Sequence, residues 1–311
     1  MEVYYERKTD NFRFGSPAGI GLGNFDGLHK GHMKLVEGLI DNCLKKNLTS
    51  CIYTFEQHPS IILEPQNPVP LIITNEKKVE VLESAGINKL FFGLFDREFA
   101  SLSPDEFIRE ILIDKFNAKL VVTGFNYFFG KGGEGNTDYL KRAGEKYGFE
   151  VLIIPPVILN GEVVSSTACR NLISKGDIPK VNEMLGRKYS MTGIVTPGRR
   201  IGTNLGMPTA NIIPDEKYLL PQKGVYVTDT YYKGNKYRSV TNIGVKPTVS
   251  QNDPVTIETH LIGFNGGIMY DNEIKIEYIC KIRDEMKFGD YDQLVEQIKS
   301  DIKYAVNLSA E

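Results

Sequence analysis

The sequence predicts two domains of different fold class: a doubly wound α/β domain with a parallel sheet, then an antiparallel β-barrel that ends in a helix. Three observations lead to this prediction. The chain has 311 residues, more than one hydrophobic core usually supports. Apolar runs alternate with amphipathic stretches up to about residue 186, whereas β-rich runs separated by turn residues follow one another beyond it. We therefore expect domains at 1–186 and 187–311.

Five short segments of the first half are apolar on both faces, as strands of a parallel sheet must be. They are AGIGLGNF (18–25), SCIYTF (50–55), KLFFGLF (89–95), KLVVTGF (119–125) and EVLII (150–154). Apolar residues recur at helical spacing from about residue 31 to 46, and Ser103-Pro-Asp-Glu106 predicts the start of another helix with a capping box. In such a domain, ligands bind at the carboxyl ends of the strands.

The second half contains six β-rich runs that predict an antiparallel barrel or sandwich. They are KYSMTGIVT (188–196), TANII (209–213), GVYVTDTYY (224–232), KYRSVTNIG (236–244), PVTIETHLIGF (254–264) and EIKIEYICKI (273–282). Gly234-Asn235 is predicted to form a hairpin turn. The final segment, residues 290–308, predicts an amphipathic helix that packs against the barrel.

The composition indicates which classes of partner and site the chain is not expected to have. Lys and Arg number 37 against 39 Asp and Glu, with no long block of either sign, so neither a nucleic-acid surface nor a membrane surface is predicted. The four cysteines lie far apart without a CxxC pair, which indicates neither a zinc site nor a disulfide framework. The polar N-terminal segment lacks the apolar core of a signal peptide, and we expect a cytoplasmic location.

The stretch GNFDGLHKGH (23–32) lies between a predicted strand and a predicted helix. A helix N-terminus offers unsatisfied N–H groups to anions, and glycines let a phosphate approach the backbone closely. His29 and His32 are three residues apart, so both can reach one phosphate chain. Neither a Rossmann fingerprint nor a P-loop is present. Taken alone, an HxxH pair is more often a solvent-facing pair in a capping turn.

GNFDGLHKGH resembles the GxFDGxHxGH motif of HxGH-superfamily nucleotidyltransferases. TFEQHP (54–59), GFNYFFGKGGEGN (124–136) and SSTACR (165–170) are similar, in the same order, to elements of prokaryotic FAD synthetases. The resemblance implies catalytic roles for His29, His32 and Arg170. It implies nucleotide contacts for Gly23, Asn24, Phe25, Asp26, Gly31, Ser165 and Thr167, and flavin contacts for Asn126 and Phe128.

GRRIGTNLGMPTANI (198–212) resembles the phosphate-binding signature of riboflavin kinase. The resemblance implies nucleotide contacts for Gly198 and Gly202, and magnesium ligands in Thr209 and Asn211, whose oxygens suit Mg²⁺. TNIGVKPTV (241–249), TIETHLIGF (256–264) and KIRDEMKF (281–288) resemble further elements of that family, which makes Glu258 the general base and Arg283 a flavin contact. Alone, a strand glutamate is usually a solvated surface residue.

Together these motifs resemble the family of prokaryotic bifunctional riboflavin kinase/FAD synthetases, which implies riboflavin, FMN, FAD and ATP as ligands, ATP as co-substrate and Mg²⁺ as cofactor. The sequence departs from the family pattern at Gln57, Gly133, Cys169 and Asp271. Two alternatives stay open: a single-function nucleotidyltransferase with a flavin-binding regulatory barrel, and a non-catalytic flavin sensor. The oligomeric state, including a homo-oligomer, is also open.

Overall fold

A computed structural model describes residues 1–6, 12–198, 207–245, 255–267 and 269–308. The chain forms two compact units, Met1–Ser166 and Thr167–Glu311. This division assigns residues 167–186 to the second unit. The functional boundary at 186/187 stays a prediction.

The first unit is built on a six-stranded sheet whose neighbouring strands are all parallel, in the order β1-β4-β3-β2-β5-β6. Its strands are β1 Glu2–Tyr5, β2 Ala18–Leu22, β3 Thr49–Phe55, β4 Lys89–Gly93, β5 Ala118–Gly124 and β6 Glu150–Ile154. The five predicted strands and the doubly wound class are confirmed. Strand β1 was not predicted, because a four-residue edge strand with partly exposed side chains has no apolar pattern to reveal it.

Helices connect these strands, and the predicted helix after β2 and the predicted capping box are both confirmed. The helices are α1 Lys30–Lys46, α2 Ser60–Leu63, α3 Asn75–Ser84, α4 Arg97–Ala100, α5 Pro104–Glu106 and α6 Thr137–Tyr147. Helix α5 continues as a π-helix, Phe107–Lys115, and Lys131–Gly133 forms a short 3₁₀ turn. A small hairpin follows β6, with strands β7 Ile158–Leu159 and β8 Glu162–Val163.

The direction of strand order reverses between β2 and β5, which are adjacent in the sheet. Helices that follow these two strands leave toward opposite faces, so the segments after their carboxyl ends open a crevice. The segment after β2 is the GNFDGLHKGH motif, and the segment after β5 contains Asn126 and Phe128. The topology therefore places the predicted phosphate-binding and flavin-binding segments at one switch point.

The second unit contains a closed antiparallel barrel with strand order β10-β13-β12-β11-β14-β9. Its elements are α7 Ser166–Lys175, which begins at the last residue of the first unit, α8 Ile178–Leu185, β9 Ser190–Thr196, β10 Ala210–Ile212, β11 Gly224–Tyr232, β12 Asn235–Val245, β13 Val255–Leu261, β14 Glu273–Arg283 and α9 Tyr291–Asn307. The predicted barrel and terminal helix are confirmed. Throughout the described ranges, no helix is both long and apolar enough to cross a membrane.

The hairpin between β11 and β12 lies one residue earlier than predicted. Its two turn residues are Lys233 and Gly234, with φ of 47° and 78°, and Asn235 is already the first residue of β12. Both turn residues are left-handed, which is what the twist of a two-residue hairpin requires. Asp271, a position where the sequence departs from the kinase pattern, is also left-handed, with φ of 62°. Aspartate is among the residues that tolerate this conformation.

Helix α8 packs against β14 of the barrel and buries Ile178, Val181, Met184 and Leu185. Asn182 connects the helix to the barrel because its side chain donates to the Tyr278 carbonyl oxygen at 2.9 Å and accepts from the Tyr189 N–H at 2.7 Å. The barrel therefore uses α8 as part of its packing.

We expect Gly21→Ala to lower the free energy of unfolding by about 1–3 kcal/mol, because overpacking a closely packed core forces neighbours out of place. A β-carbon at Gly21 would come within 2.6 Å of Ile52 Cδ1 and 3.1 Å of Leu39 Cδ2, between β2 and α1. Gly15→Ala is the control, because a β-carbon there meets no atom within 4 Å. Urea unfolding of both variants measures the difference, and equal stabilities would contradict this packing.

We expect a fragment of residues 167–311 to be more stable than one of residues 187–311, because the shorter fragment loses α8 and the Asn182 hydrogen bonds. Burying each large apolar side chain contributes roughly 1.5–3 kcal/mol, so the difference should be readily measured by thermal unfolding. Equal melting temperatures would show that α8 is dispensable for the barrel.

Candidate active sites

The turn between β2 and α1 has an unusual backbone. Phe25, Gly27 and Leu28 are left-handed, with φ of 48°, 82° and 41°. Such a conformation is rare for bulky residues and persists only where surrounding structure imposes it. The side chains of Phe25 and Leu28 are fully buried in a hydrophobic core cluster of the first unit. Packing of these two side chains therefore holds the turn in this shape.

His29 ends this turn and is the N-cap of α1, where its Nδ1 accepts from the His32 N–H at 3.3 Å. The two imidazole rings are stacked, with centroids 3.8 Å apart and planes at 16°. Gly31 permits this arrangement, since a β-carbon there would lie 3.0 Å from the His29 ring. Because Nδ1 accepts a hydrogen bond, the neutral His29 ring carries its proton on Nε2, where it is a donor.

The carboxyl ends of the strands surround a cavity of about 570 Å³, which we call the aromatic cavity. Its aromatic lining residues are Tyr53, Phe55, Phe95, Phe99, Phe107, Tyr127, Phe128 and Phe129. Gly23, Asn24 and Asn126 add backbone and amide groups to the wall. Phe128 is 64% exposed, so a ring face is available to a ligand. The volume and the mainly apolar lining suit a planar aromatic molecule.

Burial raises the pKa of the Tyr53 and Tyr127 hydroxyls in this wall, so both stay protonated. No charged side chain lines the aromatic cavity among the described residues. The cavity therefore favours a neutral ring system, whereas anions would be held at the helix terminus beside it.

The SSTACR segment spans the boundary in sequence between the two units, with Ser165 and Ser166 in the first unit. Ser165 directly precedes α7, and the Ser166 hydroxyl donates to the Asp26 carbonyl oxygen at 2.8 Å. This bond ties the start of α7 to the turn before α1. Thr167 and Arg170 lie on α7 within the second unit.

In the barrel, three polar residues form a row across neighbouring strands. Glu258 on β13 is paired with Asn211 on β10 and with Asn242 on β12. Directly opposite residues on adjacent strands have their β-carbons about 5 Å apart, so the three side chains share one face. Ile257 and Leu261 are buried and belong to the opposite face, as the period of a strand requires.

Asn211 is the residue of this row that best fits a metal ligand. Its side chain is 6% exposed, and its Oδ1 has no hydrogen-bond partner among the described residues. A buried carbonyl oxygen without a donor is available to a cation. A β-carbon at Gly198 would overlap the Asn211 amide, so glycine is required for this close approach. Gly202 lies outside the described residues.

A second cavity, of about 330 Å³, opens beside this row, and we call it the barrel cavity. Polar or charged lining residues are Thr209, Asn242, Glu258, His260, Arg283, Glu285 and Asp301, and apolar ones include Val225, Val240, Leu294 and Ile298. Helix α9 supplies Leu294, Ile298 and Asp301, so it forms one wall. His260 is held by a 2.9 Å hydrogen bond between its Nδ1 and the Pro208 carbonyl oxygen.

Arg283 is fixed in the barrel cavity by Asp301. The guanidinium donates from Nη2 to Asp301 Oδ2 at 2.8 Å and from Nε to both carboxylate oxygens at 3.1 and 3.2 Å. Gln297 adds a 2.9 Å bond to Oδ1 of Asp301, which is 2% exposed. A bidentate pair of this kind fixes an arginine in both position and orientation.

Two buried charges on helices were not predicted from the sequence. Asp301 interrupts the apolar stripe of α9 formed by Leu294, Ile298 and Ala305, and Lys78 occupies a buried position of α3 together with Leu82. A charged residue within an apolar helical stripe is a signal of a buried ion pair or of a site. The aromatic cavity could not be predicted from the pattern of any one helix or strand, because its rings come from five separate segments.

The comparisons with known proteins agree with this architecture. A family model described as FAD synthetase matches residues 13–168, and one described as riboflavin kinase matches residues 185–309. A bifunctional riboflavin kinase/FMN adenylyltransferase of Buchnera aphidicola (subsp. Schizaphis graminum) is 34% identical over 94% of both chains. The protein of that name from Bacillus subtilis is 35% identical over 93% of both.

The chain therefore belongs to the family of bifunctional riboflavin kinase/FMN adenylyltransferases, with the FAD synthetase domain first and the riboflavin kinase domain second. A crystal structure titled as a macrolide-efflux protein from Streptococcus pneumoniae has a TM-score of 0.92 and 30% identity, and the match covers 99% of this chain and 100% of that one. The two chains thus share their fold throughout.

We expect Asp301→Asn to lower the free energy of unfolding by about 3 kcal/mol, because it leaves the Arg283 charge without its buried partner. Phosphorylation of riboflavin should fall with it, whereas conversion of added FMN to FAD should not change. Glu296→Gln, an exposed position on the same helix, is the control and should alter neither. Chemical unfolding and separate assays of the two steps test this, and a wild-type kinase rate in Asp301→Asn would contradict a role for the pair.

Proposed function

We propose that the barrel converts riboflavin and ATP to FMN and ADP, and that the first domain converts FMN and ATP to FAD and pyrophosphate. The observation that carries this proposal is that each domain has its own cavity, with candidate phosphate-binding or metal-binding residues at its edge. We retain 186/187 as the functional boundary, with α8 as packing for the barrel. A cytoplasmic location remains a prediction from the sequence.

In the first domain, FMN inserts its flavin ring into the aromatic cavity, between residues such as Asn126 and Phe128, and its phosphate faces the turn before α1. A phosphate oxygen of FMN attacks the α-phosphorus of ATP, and pyrophosphate leaves. Nε2–H of His29, the His32 ring and the N–H groups at the start of α1 stabilise the negative charge that develops on the phosphate oxygens. Gly23, Asn24, Phe25, Asp26, Gly31 and Ser165 shape the nucleotide site. A nucleotide contact of Thr167 and a catalytic role of Arg170 stay predictions from the sequence.

In the barrel, Glu258 accepts the proton of the ribityl 5′-hydroxyl as that oxygen attacks the γ-phosphorus of ATP. Its pairing with Asn211, the proposed metal ligand, and with Asn242 supports this role. Arg283, at the end of β14 and bound by Asp301 of α9, orients the flavin, and Gly198 lies along the nucleotide. A nucleotide contact of Gly202 stays a prediction from the sequence. Such a reaction depends mainly on positioning and charge neutralisation, so the base contributes only part of the rate.

The Asn211 amide oxygen and the Thr209 hydroxyl would hold Mg²⁺ together with nucleotide phosphates. In the described residues no cluster of three or more His, Cys, Asp or Glu side chains is placed to bind a metal, so the ion would depend on neutral oxygens, water and phosphate. When bound, Mg²⁺ would neutralise charge on the transferring phosphoryl group.

Reciprocal variants should separate the two reactions. His29→Asn is expected to lower FAD formation about 10²–10³-fold, as loss of one charge-stabilising donor does, and to leave FMN formation unchanged. Asparagine is chosen because it is a good N-cap, so the helix start is preserved while the imidazole is lost. Glu258→Gln should slow FMN formation about 10²-fold, the order of a general-base contribution, while added FMN is still converted to FAD.

The test incubates each variant with riboflavin or FMN, ATP and Mg²⁺, separates the flavins by chromatography and measures ADP and pyrophosphate. Equal damage to both steps by either variant would show that the two sites are wrongly separated. Wild-type protein that binds flavin but forms neither product would favour a flavin sensor.

A further inference from the structure

The strained turn before α1 is tied down at its first residue by two side chains. The Asn24 carbonyl oxygen accepts from the Thr54 hydroxyl at 3.0 Å and from Lys78 Nζ at 3.2 Å. Two residues later, the Asp26 carboxylate accepts from the Ile72 N–H at 2.9 Å. The bonds therefore attach the turn to β3, to α3 and to the segment that precedes α3.

Lys78 is an unusual residue for this task, because it is a lysine with only 5% exposure. Its ammonium lies 5.7 Å from the centroid of the Phe92 ring, and Asn24 supplies its hydrogen-bond acceptor among the described residues. Desolvating an ammonium is unfavourable, and one carbonyl and one ring face compensate only part of that loss. Thr54 already bonds the same carbonyl without a charge. Stability alone therefore gives no reason for a cation at this position.

Three titratable side chains surround the Lys78 ammonium. A space of about 10 Å³ beside it is lined by Asn24, Asp26, Glu56 and His58, so Asp26 from the turn and Glu56 and His58 from the segment after β3 are the titratable groups around it. Burial lowers the pKa of Lys78 to about 8, and attraction to Asp26 opposes this shift. The ammonium is thus present at neutral pH and is lost in mildly alkaline solution.

We propose that Lys78 is a positioning residue for FAD synthesis, whose buried ammonium holds the Asn24 carbonyl and the neighbouring Asp26 so that the left-handed turn presents His29 and the start of α1 to the reacting phosphates. The inference rests on the proposed adenylyl transfer in the first domain. Lys78 itself does not line the aromatic cavity, so its proposed effect comes from the turn that it holds and not from contact with the flavin ring.

A positioning role for Lys78 predicts specific effects on kcat, on KM and on the pH dependence of FAD formation. At pH 7, Lys78→Met should lower kcat for FAD formation about 10²-fold, the effect of a small misplacement of reacting groups, with little change in the KM for FMN. Since the charged form is the active one, the wild-type rate of FAD formation should fall as pH rises through about 8. Lys78→Met should show no such fall, although Asp26, Glu56 and His58 are retained.

The experiment measures FAD formation from added FMN between pH 7 and 9.5 for the full chain, Lys78→Met and Lys77→Met. Lys77 is the matched control, since it is the neighbouring lysine of α3 and pairs with Glu80 on the helix surface. FMN formation by the barrel of the same chain is the internal control for pH and for protein quality. Lys77→Met should retain the wild-type rate and pH profile.

The inference is overturned if Lys78→Met forms FAD at the same rate and with the same pH profile as Lys77→Met. It is also overturned if the rate of FAD formation by Lys78→Met still falls in alkaline solution. If Lys78→Met fails to fold, the wild-type profile still decides, because a rate of FAD formation that is constant from pH 7 to 9.5 contradicts a required ammonium. Wild-type protein that forms no FAD at any pH would instead refute the proposed adenylyl transfer.

Discussion

The left-handed turn between β2 and α1 is the constraint on which the first domain depends. Two large residues, Phe25 and Leu28, adopt a conformation that is intrinsically unfavourable for them, and burial of their side chains compensates for it. The turn directs the chain from the sheet into α1 within a few residues. It thereby places the His29 and His32 rings, the helix N-terminus and the mouth of the aromatic cavity at one switch point of the sheet.

In the barrel, the candidate site residues are brought together by strand pairing and not by a turn. Closure of the six strands brings Asn211, Glu258 and Asn242 side by side although they are far apart in sequence. Helix α9 then forms a wall of the barrel cavity and is attached at two places. Asp301 binds Arg283 in the wall, and Arg238 donates to the carbonyl oxygens of Ala305 and Leu308 near the end of the helix.

Both domains contain a buried charge within a helix, and both charges act on a neighbouring segment. Asp301 orients a guanidinium that lines the barrel cavity, whereas Lys78 donates to a carbonyl oxygen of the turn before α1. Buried ionised groups are unfavourable unless they are compensated, which is why such groups often mark functional sites. In each case the charge is buried beside a candidate site residue, Asn24 or Arg283.

The sequence by itself determined the two fold classes, because the period of apolar residues reports which faces of each strand and helix are buried. It also determined the relative position of His29 and His32, since residues three apart at a helix start are related by the helical repeat. The left-handed turn before them was not predicted, because the packing of Phe25 and Leu28 imposes it. The sequence did not determine which distant segments pair or contact one another. Only the tertiary structure decided the addition of β1 at the sheet edge and the position of the Lys233-Gly234 turn. It also decided the row through Glu258, the aromatic cavity and the partners of Lys78 and Asp301. These features depend on strand register and on side chains from separate segments that meet only after the core has packed.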